Sequence, residues 1–187
     1  MLKSLALVII AALTVSFTTI KKETKKINVE KSSIEWVGKK ITGQHSGVIA
    51  VKEGSLKFKN NKLVGGVVIV NMTSLTVTDL SGDYKNKLER HLKSDDFFGV
   101  DKFETSTLTI NKVTGENGSF LVNGDITIKG ITKPISFDMT VNDNTATAEL
   151  KIDRTQFGIR YGSASFFDDL QDKAINNEFE LKVQLSI

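Results

Sequence analysis

The residues that first suggest chemistry are few. They are the histidines His45 and His91, the adjacent carboxylates Asp95 and Asp96, and the neighbours Asp153 and Arg154. Asp95 and Asp96 are poor partners for paired acid–base catalysis. In an extended chain they point to opposite faces, and a turn between helix and strand suits them better. His45, together with Arg154, has the chemistry to meet the polar or anionic head of a ligand. A strand histidine bonded to a neighbouring carbonyl explains His45 equally well. His91 closes a helical pattern, where an imidazolium favours the negative end of the helix dipole, a structural role. Asp153-Arg154 reads as a strand-end ion pair or loop anchor, with an anion clamp as the alternative. Two distant histidines without thiols make no metal site. There is no Gly-x-Ser-x-Gly, no phosphate-cradling glycine loop and no His-x-x-x-His, so neither a catalytic residue nor a cofactor is assigned.

Composition narrows the class further. The 187 residues contain no cysteine, which removes disulfides and thiolate chemistry. At 40% hydrophobic and 25% charged, the chain can bury a core, which argues against disorder. Its net positive charge arises from Lys3 and the cluster Lys21, Lys22, Lys25 and Lys26, and the body from Ile27 onward is nearly balanced. A nucleic-acid partner needs a concentrated basic face, so none is expected.

The elements that must position these residues are mostly strands. Ile34 and Trp36 alternate with polar residues. So do Ile135, Phe137, Met139 and Val141, then Ala146, Ala148, Leu150 and Ile152, and finally Phe179, Leu181, Val183, Leu185 and Ile187. Leu63–Met72 is apolar on both faces and is expected to be covered on both sides. One helix is predicted over Asp79–Leu92, with Leu80, Tyr84, Leu88 and Leu92 as its apolar stripe and Ser81 or Asp79 as its cap. Short, evenly spaced antiparallel strands close best into a barrel, which removes the sheet edges.

Met1–Thr19 reads as a signal peptide: Lys3, an apolar run from Leu5 to Val15, then Ser16, Thr18 and Thr19, with cleavage between Ser16 and Thr19. The run is short against the ~20 residues of a spanning helix, which argues against an uncleaved anchor. Export to the periplasm follows as an expectation. Residues 20–26 read as a basic spacer and 27–187 as one domain.

Four segments together resemble the YceI-like family of exported bacterial proteins. They are Ile34-x-Trp36-x-Gly38-x-Lys40-x-x-Gly43-x-His45-x-Gly47, His91-Leu-Lys-Ser-Asp-Asp-Phe-Phe98, Gly124-Asp-Ile-Thr-Ile-Lys-Gly-Ile-Thr-Lys-Pro134, and Asp153-Arg-Thr-x-Phe-Gly158. Phe103-Glu104 and Asn71-Met72 depart from the family pattern locally. The resemblance implies an all-β fold: an antiparallel, lipocalin-like, eight-stranded β-barrel with one or two short helices over an end. It also implies an elongated apolar pore holding a polyisoprenoid, an isoprenoid quinone or a similar amphiphile, for transport, storage or stress protection. Transient membrane contact fits that role, and the sequence leaves a dimer open.

On this reading the pore is lined by Ile34, Trp36, Phe97, Phe98, Phe137, Met139, Leu150, Ile152, Phe157, Phe166, Leu181 and Val183. His45 and Arg154 are the head-group candidates. Alternation alone cannot separate a hollow barrel from a filled one, because eight strands suit either. A filled barrel acting as a structural or interaction protein of the envelope is the alternative. The resemblance favours the hollow form.

Overall fold

The computed structural model describes residues 20–187. The segment read as a signal peptide lies outside the described residues. The alternating stretches pair as β1 (Lys22–Lys26), β2 (Asn28–Lys40), β3 (Gly43–Lys59), β4 (Lys62–Val77), β5 (Thr105–Glu116), β6 (Ser119–Ile128), β7 (Ile131–Asn142), β8 (Thr145–Asp153) and β9 (Ile175–Ser186). From β2 to β9 each strand pairs antiparallel with its neighbour in sequence, and β9 returns to β2. The result is a closed eight-stranded up-and-down barrel. Closure leaves no edge among these eight strands.

The basic segment is a strand rather than a spacer. Lys22–Lys26 pairs with Ser55–Lys59, and the chain turns into β2 at Ile27, whose N–H donates to the Gly54 carbonyl at 3.0 Å. Lysine stems hid this from the sequence: Lys25 carries its ammonium 5.5 Å above the Phe58 ring.

Helix α1 (Gly82–Lys93) crosses the upper end, the end of the β2–β3 and β6–β7 hairpins. Leu80 precedes it and Tyr84 is 79% exposed, so the stripe that reaches the barrel narrows to Leu88 and Leu92. Ser81 holds the cap position without a side-chain bond, and Asp79 bonds His45 instead of capping the helix. Glu89 ties the helix down by accepting the Val77 N–H at 2.8 Å. Two short 3-10 turns, Arg154–Phe157 and Gln171–Lys173, complete this end.

The expected double cover of β4 is absent. Val64 is exposed, and Val67 and Ile69 are half-buried on the outer wall. The lower half of the barrel is packed solid by Leu56, Phe58, Leu63, Phe120, Val122 and Leu185. The upper half is not.

Candidate ligand-binding site

A cavity of about 130 Å³ lies in the upper half. Inward positions of four strands build most of its wall: Ile34, Trp36 and Gly38 on β2, Val70, Met72 and Leu75 on β4, Ile126 and Ile128 on β6, and Phe179 and Leu181 on β9. Ile49, Ser106 and Ile152 complete the ring, and Leu92 and Phe98 cover it. Nearly every group on this wall is a hydrocarbon, so the space rewards apolar contents.

A second cavity of about 100 Å³ lies between α1 and the β2–β3 hairpin. Leu88, His91 and Phe97 face Lys39, Lys40, His45 and Ile175 across it. Trp36, Gly38 and Leu92 border both cavities, so the two adjoin. The pair leads from a polar rim, where Lys39 is paired with Glu180 at 2.7 Å, to an apolar interior. Gly38 leaves the junction open, and a Cβ there would meet nothing within 4 Å.

The residues expected in the pore divide by height. Ile34, Trp36, Phe98, Ile152 and Leu181 border the main cavity, and Phe97 borders the second. Phe137, Met139 and Leu150 are buried but border neither cavity, because the barrel is filled at their level. Val183 is half-buried and meets an outer cleft beside Glu35, Asp138 and Lys182. Phe157 is buried in the 3-10 turn that packs against β7. The same turn also packs against β9, near where β7 and β8 pair only over Met139–Asn142 and Thr145–Ala148. Phe166 is not in the pore. It is 45% exposed, with the Arg160 guanidinium 4.6 Å above its ring.

Arg154 is an anchor, not a head-group contact. It is 2% exposed, and its guanidinium donates to the carbonyls of Asn176, Ile159 and Ile175 at 3.0, 2.9 and 3.0 Å. These bonds fasten the loop after β8 to the start of β9. Burial pulls the guanidinium pKa below its ordinary value, and the nearby Asp153 carboxylate opposes that shift. Asp153 itself accepts from the Thr155 backbone and hydroxyl at 2.9 and 2.6 Å, turning the chain out of β8. The Arg154 guanidinium also lies 5.5 Å from the Phe97 ring centroid. Phe97 in turn meets His91, Phe98 and Tyr161 at 5.4, 5.7 and 6.3 Å.

His45 stands at the rim with its Nδ1 2.9 Å from Asp79 Oδ2, while Asp79 Oδ1 accepts the Ser46 N–H at 3.1 Å. Burial raises the Asp79 pKa, but the His45 and Ser46 bonds outweigh it and hold it below the ordinary 3.8. Asp95 accepts from Lys102 at 2.6 Å and turns the helix-to-strand junction, while Asp96 is exposed. Among the described residues no group of three His, Cys, Asp or Glu side chains comes together around a metal.

A profile of the YceI-like domain matches residues 25–187. The chain belongs to the YceI-like family. UPF0312 proteins match it over shorter stretches: one from Staphylococcus aureus is 41% identical over 36% of this chain and 37% of its own length. One from Shewanella baltica is 34% identical over 35% of each. The chain thus spans about a third of the length of the curated relatives it matches. Among solved structures, BcnA of Burkholderia cenocepacia superposes with a TM-score of 0.64 at 19% identity, covering 86% of this chain and 99% of that one. A polyisoprenoid binding domain from Saccharophagus degradans, implicated in plant cell wall breakdown, gives 0.60 at 12% identity, covering 88% and 97%. At these identities the likeness shows the fold.

Sequence reasoning missed Gly38, Ile49, Val70, Met72, Leu75, Leu92, Ser106, Ile126, Ile128 and Phe179 as wall residues. Gly38 and Phe179 lie in strands whose alternation was read, whereas Val70, Met72 and Leu75 lie in β4, where apolar residues on both faces hide the inward one. What the pattern lacked was height along the barrel, which depends on register between strands.

Proposed function

We propose that this chain is a lipid-binding barrel that takes the apolar end of an isoprenoid-like amphiphile into the upper cavity. The observation that carries this reading is the all but wholly apolar cavity, joined through the opening at Gly38 to a rim that carries Lys39, Lys40 and His45. Burying hydrocarbon contributes roughly 0.8 kcal/mol per CH₂. A preformed space lowers the ordering cost that association must overcome. The Saccharophagus degradans domain, described as polyisoprenoid binding, supports the ligand class.

The barrel acts as a carrier or reservoir rather than an enzyme, and no cofactor beyond the bound lipid or quinone is assigned. Export to the periplasm and transient contact between the upper rim and a membrane complete the proposal.

The test is solvent extraction and mass spectrometry of protein purified from a native-like host, alongside Gly38→Leu. A Cβ there meets nothing within 4 Å, and the rest of the leucine side chain would occupy the junction. Stoichiometric isoprenoid in the wild type and none in Gly38→Leu supports the reading.

One observation favours a second reading: the solid lower half makes the barrel largely a filled one. If the wild type carries no lipid and takes up no added prenyl compound, the chain is a structural or interaction protein of the envelope.

A further inference from the structure

Four aromatic side chains are exposed among the described residues: Tyr84, Tyr161, Phe166 and Phe167. All four lie at the upper end, Tyr84 on α1 and the other three in the loop between β8 and β9. Those three share a neighbourhood with Ile41, which is 69% exposed in the β2–β3 turn. The Ile41 N–H donates to the Ala174 carbonyl at 3.4 Å, and the Ile175 N–H donates to the Gly162 carbonyl at 2.8 Å, beside Tyr161. The N–H groups of Phe166 and Phe167 both donate to the Ser163 carbonyl, at 3.0 and 3.1 Å. Tyr161 lies edge-on to His91 with ring centres 4.4 Å apart, and His91 and Ile175 line the second cavity. The patch therefore sits beside that cavity. Single exposed apolar residues are ordinary, but aromatics gathered at one end mark a contact surface.

We propose that this patch is a bilayer-docking surface that seats the upper end in the interfacial layer of a zwitterionic membrane. The inference rests on the lipid-binding reading and names the surface across which ligand passes between bilayer and cavity. Aromatic rings with a polar tip or neighbour favour the headgroup level of a bilayer. Tyr161 supplies a hydroxyl. Arg160 holds its guanidinium 4.6 Å from the Phe166 ring centre, so a charge that can stay in water stands beside a ring that leaves it. Charge does not direct the patch to an anionic leaflet. On the loop and the neighbouring strand ends, Lys39, Lys40, Arg160 and Lys173 are met by Asp168, Asp169, Asp172 and Glu180, and Lys39 is bonded to Glu180 at 2.7 Å. Recognition of anionic lipid uses a surplus of Lys and Arg, and this patch has none. The attraction that remains is apolar, which salt does not screen.

The test is co-sedimentation of the purified protein with vesicles of phosphatidylcholine, and with vesicles in which phosphatidylglycerol replaces part of it. Uptake of geraniol without vesicles is followed in parallel by the emission of Trp36, the sole tryptophan. Binding to the two vesicle types is expected to agree within about twofold and to survive added salt. Phe166→Ser combined with Phe167→Ser should cut it roughly tenfold. The thermal melt and geraniol uptake of that variant should not change, since both side chains are exposed. Leu121→Ser, at an exposed apolar position on the wall of β6, should leave vesicle binding unchanged. Undiminished binding by the double variant, or equal loss in Leu121→Ser, overturns the docking surface. So does binding that needs phosphatidylglycerol and is lost in salt. A wild type that self-associates in sedimentation, beside a double variant that does not, overturns it in favour of a contact between copies. Geraniol uptake with no vesicle binding overturns this inference and leaves the lipid-binding reading standing. Vesicle binding with no uptake supports the surface and sinks that reading.

Discussion

Gly47 lies directly across from Trp36 in the β2–β3 pair, and the indole occupies the space a side chain at Gly47 would need. A Cβ there would stand 2.6 Å from Trp36 Cζ2 and would also collide with the Thr76 carbonyl on β4. The missing side chain is thus what lets a tryptophan lie flat in the cavity wall. Gly47→Ala is expected to destabilise the fold by about 2–3 kcal/mol through overpacking. It should also shift the emission of Trp36. A thermal melt and a fluorescence spectrum check both, and an unchanged melt would show that the wall yields freely.

Arg154 supports a prediction about stability. Its planar fork meets three carbonyls held in different directions, an arrangement a lysine ammonium cannot reproduce. Arg154→Lys should cost about 2–4 kcal/mol, because carbonyls lose partners and a charge stays buried. The loop from Gly158 to Ala174 should become sensitive to protease before the barrel unfolds. Urea denaturation and limited proteolysis separate the two effects. Loss of ligand uptake with full loop protection would instead make Arg154 a binding residue.

The barrel and the Asp153–Gly158 turn were legible in the sequence because strand alternation and short turn motifs are local signals. Lys22–Lys26 was not, since its strand pattern is written in lysine stems rather than apolar residues. The site was half legible. Ile34, Trp36, Ile152 and Leu181 follow from inward alternation. Phe137, Met139 and Leu150 follow the same pattern yet lie in the filled section, and only interstrand register tells the two levels apart. Phe166 looked like wall because it is aromatic beside Phe167, but it stacks under Arg160 at the surface.

The hold of α1 on the rim depends on pH. The Val77 N–H bond is the main cause that lowers the Glu89 pKa below its ordinary 4.5, against a smaller upward push from burial. Asp79, also lowered, ties His45 and Ser46 at the same end. A depressed carboxylate stabilises fully above its unfolded value and loses that contribution as pH falls through the folded value. The helix should therefore stay docked above pH 4.5 and loosen as the pH falls below it. Acrylamide quenching of Trp36, beneath Leu92, should rise in that range, and Glu89→Gln should raise quenching already at neutral pH. Flat quenching down to about pH 3 would show that Leu88 and Leu92 suffice to hold the helix.

Cavity size sets an expectation for chain length. An apolar cavity of about 150 Å³ accommodates benzene, so the main cavity of about 130 Å³ suits one isoprene unit. The adjoining space of about 100 Å³ adds room for a second. Below them stands Leu150, one inward position beneath Ile152 on β8 and the cross-strand partner of Leu181, both of which line the cavity. Affinity for prenyl alcohols should rise from about five to ten carbons, at up to roughly 0.8 kcal/mol per buried CH₂, and then level off as further units stay in solvent. Leu150→Ala should cost about 2–5 kcal/mol of stability while lowering the floor. In that variant the plateau should move to longer chains. Calorimetric titration of the alcohol series on both proteins decides the matter. Affinity that climbs steadily past about twenty carbons in the wild type would mean that the packed lower half opens for its ligand, and that the barrel reads the whole chain rather than its end.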